Sequence, residues 1–217
     1  MLVDEFEFLG QTIGEDAEVI FDVGAKYGRD TAQFLRLFPQ ATIYAVDCAP
    51  RAIERLRDDF GHDRRVEIVP YALGNVYGGC TFPFHLCEPM AGSSSLHPVT
   101  DLYAQETSNT QTLQVHATTL DEFCRERGIE RVDLLKIDTE GSDLSVLQGA
   151  QRLLSERAVR FVHVELLFYP YYREQCWYYE VAEYLVGQGY ALKAMWPMYW
   201  GGRLRYAQTF FELSPWT

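Results

Sequence analysis

The chain has 217 residues, 47% of them apolar and 14% aromatic, which suits one folded domain and excludes global disorder. Nineteen basic against 31 acidic residues give a formal charge of −12, which disfavours nucleic-acid partners, since their binding rests on Lys and Arg. Five cysteines without a CxxC pair suggest neither a disulfide framework nor a zinc site.

Residues 1–17 read as a short helical or irregular lead-in without the basic-then-apolar pattern of a signal peptide. No apolar run approaches the roughly 18 residues that a bilayer crossing needs, so the expectation is a cytoplasmic protein with no membrane partner. Glu18–Val23 is β-rich and ends in the turn Gly24-Ala-Lys-Tyr-Gly28; residues 29–38 then carry Phe34, Leu35 and Phe38 at helical spacing. A second strand fits Thr42–Asp47. A helix over 50–60 is opened by Pro50 and stopped by Gly61, and Val66–Val69 is a third strand. Residues 79–116 break this rhythm: Cys80–His85 and Gln111–His116 alternate like strands around a Ser-rich loop and read as an inserted hairpin or loop excursion. The rhythm resumes with a helix near 120–127, the strand Val132–Asp138, a helix over 143–155 and the strand Arg160–Glu165. A helix around 175–187 and strands near 190–195 and 205–213 complete one α/β domain spanning 1–217, its parallel sheet covered on both faces.

The turn after the first strand has the spacing G-x-x-x-G, not the G-x-G-x-x-G that brings a pyrophosphate close to the backbone. Asp22 precedes it; a carboxylate there would repel a pyrophosphate but suits the cationic amino group of a methionine-type ligand. Asp47 ends the second strand, 23 residues after Gly24, where an acidic side chain can accept from ribose hydroxyls. An adenosine ligand with a positive amino-acid tail is S-adenosylmethionine.

The block Val132-Asp-Leu-Leu-Lys-Ile-Asp-Thr-Glu-Gly-Ser-Asp-Leu-Ser-Val-Leu-Gln-Gly-Ala150 closely resembles the D-x-x-K-I-D-x-E-G-x-E-x-x-V-L-x-G-A signature of the FkbM methyltransferases. The Asp22–Gly28 turn, Tyr71–Gly74, Gly92–Leu96 and Thr119–Asp121 match in order as well, so the resemblance runs from about 18 to 166. Asp stands at 47 and 143 where the family usually has Glu, which keeps the charge. The resemblance implies a three-layer Rossmann-like fold whose seven strands are ordered 3-2-1-4-5-7-6 with the last antiparallel. It implies O-methylation of a small-molecule acceptor, commonly a sugar or natural-product hydroxyl. It also implies that Ala72 and Leu73 lie along the adenine and that the Ser93–Ser95 loop, with Ser94 and Ser95, approaches the cofactor. Gly24, Ala25, Tyr27 and Gly28 of the turn complete the expected cofactor set, with Asp22, Asp47 and Asp138.

A neutral hydroxyl needs a base or a metal to take its proton. Lys136 and Asp138 share one face of a strand, as do His163 and Glu165 on the next, and these four are the candidate catalytic residues. Lys136 in an apolar strand needs a partner, for which Asp138 or Glu165 could serve, and the pair could be purely structural. His163 has the intrinsic pKa of a general base, although a lone strand histidine is more often a core residue. Glu140 could act at a helix N-terminus instead. A divalent metal such as magnesium is an unfavoured alternative, with Asp138 and Glu165 as ligands. Aromatic runs at 168–172, 177–179 and 196–200 suggest a substrate-facing wall or, alternatively, core filling or a homodimer interface. A nicotinamide-dependent oxidoreductase and a non-catalytic adenosine-binding module are the competing functions.

Overall fold

The structure is a computed structural model and describes residues 4–76, 79–88 and 93–214. The chain begins with α1 (Glu5–Ile13), β1 (Val19–Val23), α2 (Arg29–Leu37), β2 (Thr42–Val46), α3 (Pro50–Phe60) and β3 (Val66–Val69). It continues through β4 (Ala72–Leu73), β5 (Cys80–Glu88), β6 (Ser108–Thr118), α4 (Leu120–Arg127) and β7 (Val132–Ile137). It ends with α5 (Asp143–Gln148), α6 (Gln151–Ser155), β8 (Val159–Leu167), α7 (Tyr178–Gly187), β9 (Tyr190–Trp200) and β10 (Arg203–Leu213).

Seven strands form one sheet in the order β3-β2-β1-β7-β8-β10-β9. Strands β3 to β8 in that order are parallel, while β10 runs antiparallel to both β8 and β9. The expected architecture is therefore present, and the chain order reverses between β1 and β7, where open α/β sheets bind ligands. Alternation along the strands divides the core. Phe21, Leu135 and Val162 pack under α4–α7 on one face. Ile20, Leu134, Phe161 and Phe210 meet Leu9 and Ile13 of α1 and Phe34 of α2 on the other.

The elements differ from expectation in three places. The helix expected over 143–155 is two helices, because Gly149 packs so closely on the Gly74 carbonyl that a Cβ there would overlap it. The Asp121 carboxylate then accepts from Arg152 N (2.7 Å) and Leu153 N (3.1 Å), capping the second helix. The last two strands are longer than expected, so 196–200 continues β9, and Pro197 is tolerated because β9 is an edge strand. The insertion is more than a hairpin: β5 and β6 pair antiparallel, and β4 joins β6 to make a separate three-stranded sheet. Among the described residues, no helix is long and apolar enough to cross a membrane.

Candidate active site

At the end of β1 the chain turns through Gly24, which has φ +81°. Any Cβ at this position would overlap the backbone carbonyl of Asp138, so glycine is required both by conformation and by proximity. The amides of Gly24 and Ala25 donate to the Val46 carbonyl at 2.9 and 3.0 Å, tying the turn to β2. One residue further, Asp47 accepts from Lys26 N and Ala49 N, each at 2.8 Å. Burial pushes the Asp47 carboxyl up, and these two N–H groups oppose the shift.

A cavity of about 530 Å³ opens above this turn. It is lined by Gly24 and Asp47, by Ala72 and Leu73 of β4, and by Phe84 and Leu113 of the small sheet. A second, broader cavity of about 1500 Å³ adjoins it. The two share Gly24, Lys26, Tyr27, Arg51, Asp138 and Glu140 as a common wall. Beyond that wall the second cavity is lined by Lys136, Glu165, Tyr171, Gln208 and the β9 aromatics Trp196, Tyr199 and Trp200.

Cross-strand register explains the charges. Asp22 of β1 pairs with Lys136 of β7, which pairs with His163 of β8 and then Phe210 of β10. Lys136 Nζ lies 3.1 Å from Asp22, 3.3 Å from Asp30 and 3.9 Å from Asp138. Burial alone would push the Lys136 ammonium down, but Asp22, Asp138 and Asp30 outweigh it and hold it well above the usual lysine range. Burial likewise pushes Asp22 up while Lys136 opposes; with an ammonium at 3.1 Å, the ion pair is the state the geometry supports.

Of the six carboxyls that line the second cavity, Asp138, Glu140 and Glu165 act on one another, and their surroundings differ. Asp138 accepts from Gln208 Nε2 at 3.2 Å, with the Lys136 charge beside it. Glu165 is 7% exposed, and its Oε2 is buried without a hydrogen-bond partner. Burial, reinforced by Asp138, Glu140 and Asp143, lifts its carboxyl well above the usual range. Glu140 accepts from the Tyr172 hydroxyl at 2.6 Å, and burial, with Asp138 close by, pushes it up to about 8.

The FkbM methyltransferase domain matches residues 22–192 of this sequence. The chain belongs to the FkbM methyltransferase family. The relative 2-O-methyltransferase NoeI from Sinorhizobium fredii is 28% identical over 153 residues, covering 68% of this chain and 62% of NoeI. Methyltransferase sdnD from Sordaria araneosa is 29% identical over 153 residues, covering 60% of this chain and 59% of sdnD. This FkbM chain thus spans about three fifths of the length of the curated relatives it matches. Among solved structures, an rRNA methylase from Streptococcus thermophilus has a TM-score of 0.54 at 14% identity, covering 96% of this chain and 93% of that one. Magnesium protoporphyrin IX methyltransferase from Synechocystis PCC 6803, solved with bound SAM, has a TM-score of 0.53 at 9% identity, covering 96% and 78%. These likenesses establish the Rossmann-like methyltransferase fold.

Within this FkbM domain, Gly24, Tyr27, Asp47, Ala72, Leu73, Ser94 and Asp138 all line the first cavity. Five expected site residues sit elsewhere. Asp22 is wholly buried, bonded to Lys136 and to the Thr31 hydroxyl at 2.6 Å; it lines neither cavity because its side chain points toward α2 with that of Ile20. Ala25 borders only the second cavity, and Gly28 serves as the left-handed N-cap of α2 against Phe60. Ser95 donates to the Glu140 carbonyl at 2.6 Å instead of facing either cavity. His163, 1% exposed, is sealed between Glu5 of α1 (3.2 Å) and Trp196, out of reach of either cavity, so it is a core residue and not a base. Gly92, the first residue of the matched serine loop, lies outside the described residues.

Lys136 borders the second cavity, but a lysine kept cationic by carboxylates cannot act as a base there. Its closest partners are Asp22 and Asp30, not the expected Asp138 or Glu165. Sequence reasoning missed Glu140 as a cavity residue, along with Gln208 and the inner face of the insertion. Glu140 had one visible signal, its place in the D-x-E-G segment; Gln208 had none, because its contact with Asp138 joins positions 70 apart in sequence.

Proposed function

We propose that this chain transfers the methyl group of S-adenosylmethionine to an oxygen of a small hydroxylated molecule. The observation that carries the reading is the pair of cavities meeting at Asp138 and Glu140. The first fits the donor. Its volume is that of a cofactor site, Asp47 supplies a carboxylate for ribose hydroxyls, and Ala72, Leu73 and Phe84 supply an apolar slot for a purine. The acidic junction complements a sulfonium cation, a match a nicotinamide dinucleotide with its pyrophosphate lacks. The donor supplies the electrophilic methyl group. The chain's own residues bind and align it, exclude water, and take the acceptor's proton. Holding oxygen and methyl carbon in line at near-contact distance supplies much of the rate enhancement in such a displacement.

Support for the oxygen acceptor comes from NoeI, whose name specifies 2-O-methylation. Support for the donor comes from the Synechocystis enzyme solved with SAM. The second cavity suits a sugar or a hydroxylated natural product: Tyr171, Trp196 and Trp200 offer flat apolar faces, and Asp138, Glu165 and Gln208 offer hydrogen bonds at its floor. The net charge of −12 argues against a nucleic-acid acceptor. Metal assistance is not part of this reading, because the Lys136 ammonium already sits beside Asp138, one of the two would-be ligands. No cluster of three or more His, Cys, Asp or Glu suited to a metal occurs among the described residues. Incubation with methyl-labelled donor and panels of methyl glycosides and polyhydroxylated natural products tests the reading. Label is expected as a base-stable methyl ether; label found only on carboxyl or nitrogen atoms would refute the oxygen-ether assignment.

A further inference from the structure

Glu140 differs from Asp138 and Glu165, its carboxyl neighbours in the second cavity, in what holds it. Asp138 Oδ2 accepts from Gln208 and lies 3.9 Å from the Lys136 ammonium, so a cation already faces it. Glu165 is buried and borders only the second cavity, and burial pushes its carboxyl up. Glu140 borders both cavities, as Asp138 does, but whereas Asp138 lies beside the Lys136 ammonium, the group bonded to the Glu140 carboxyl is the neutral Tyr172 hydroxyl. Oε2 accepts from Tyr172, and Oε1 has no hydrogen-bond partner among the described residues.

The backbone around it is built to hold this position. Glu140 has φ +55°, a left-handed conformation that a non-glycine residue keeps only when its surroundings impose it. Asp143 imposes it by accepting from Thr139 N at 2.9 Å and Gly141 N at 3.2 Å, on either side of Glu140. The Ser95 hydroxyl fixes the Glu140 carbonyl at 2.6 Å, linking the site to the insertion.

Resting on the donor reading above, we infer that Glu140 is the base of this site, and that it sheds its own proton to solvent when a cationic donor enters the adjoining cavity. The carboxylate then takes the acceptor's hydroxyl proton as the O–CH3 bond forms and the S–CH3 bond breaks. A protonated Glu140, a methyl ether and a neutral thioether remain, so charge and atoms balance. The groups acting on Glu140 are Asp138 of the β7 end and Asp143 of α5, which favour its neutral form, and Lys26 of the β1–α2 turn and Tyr172, which favour the carboxylate. Glu165 of β8, Tyr103 and Tyr206 of β10 complete the titratable surroundings. With the proton held up to about 8 in the empty protein, a single added positive charge next to it is enough to expel that proton near neutral pH.

The test is calorimetric titration with S-adenosylmethionine and, separately, with S-adenosylhomocysteine, in buffers of different ionisation enthalpy. The expected result is release of a large fraction of one proton with the sulfonium ligand and little with the neutral thioether. Glu140→Gln should remove that difference, while Glu165→Gln, at a residue that does not border the first cavity, should retain it. Tyr172→Phe should move the release to higher pH, because the hydroxyl supports the carboxylate, and it serves if Glu140→Gln does not fold. Equal proton release with both ligands, or a difference that survives in Glu140→Gln, would overturn the assignment. Failure to bind either ligand would instead sink the donor reading on which it rests.

Discussion

The two cavities are built on different principles. The donor cavity is shaped by backbone: a glycine turn pressed on the Asp138 carbonyl, amides tied to β2, and an apolar slot closed by the small sheet. The second cavity is shaped by charge: one ammonium locked among carboxylates, with the Glu140 and Glu165 carboxyls pushed up by burial and by one another. The difference teaches that substitutions around the first cavity should act on donor binding, and those among the buried charges of the second on stability and turnover.

The largest effect is expected for Lys136→Met, which strands the wholly buried Asp22 carboxylate. Breaking a buried pair from one side costs about 3–5 kcal/mol of folding stability, measurable by denaturant unfolding; a loss below that of a surface substitution would show that the pair does not hold the strands. Next comes Glu140→Gln. Turnover on an acceptor found in the labelled screen should fall about 100-fold or more, the usual contribution of a general base, with donor affinity within a few-fold. Equal losses in both quantities would mean that Glu140 binds the donor instead. Asp47→Ala should do the reverse, weakening donor binding by about 1–3 kcal/mol, as expected for removing a buried acceptor, with little further change in turnover at saturation.

A smaller effect concerns pH and stability. The folded state holds protons on Asp143 up to about 6 and on Glu140 up to about 8, above the ordinary carboxylate range of the unfolded chain. The folded state therefore binds more protons within that window, and its stability is full below it and declines as pH rises through the folded values. Thermal unfolding followed across the window should show this decline, and Glu140→Gln should flatten its upper part. The smallest effect is expected from chelation: EDTA should leave methyl transfer unchanged, and restoration of a lost rate by magnesium would bring Asp138 and Glu165 back as ligands.

The same contrast separates what was legible in the sequence from what was not. Alternating apolar strands and helices, with Pro50 and Gly61 as stops, announce the sheet, and the Gly24 turn with Asp47 announces the donor cavity because both are local features. The face of Asp22 was also local, since Ile20 two residues earlier belongs to the α1–α2 core, but ligand chemistry was read into a carboxylate that the fold uses for Lys136. The split between α5 and α6 was hidden because it follows from Gly149 meeting Gly74, 75 positions away in sequence. His163 looked like a base by residue type alone and proved to be sealed by α1, an element that the sequence left as a lead-in. Glu140 stayed obscure for the opposite reason: its proton affinity comes from burial and from Asp138, and its placement from Asp143 and Ser95, none of which local pattern reveals.

The most direct measurement of the central claim is a side-by-side calorimetric titration of the purified chain with S-adenosylhomocysteine and with NAD. The account predicts one equivalent of S-adenosylhomocysteine bound, weakened by Asp47→Ala, and no binding of NAD at the same concentrations. Binding of NAD without S-adenosylhomocysteine would contradict it.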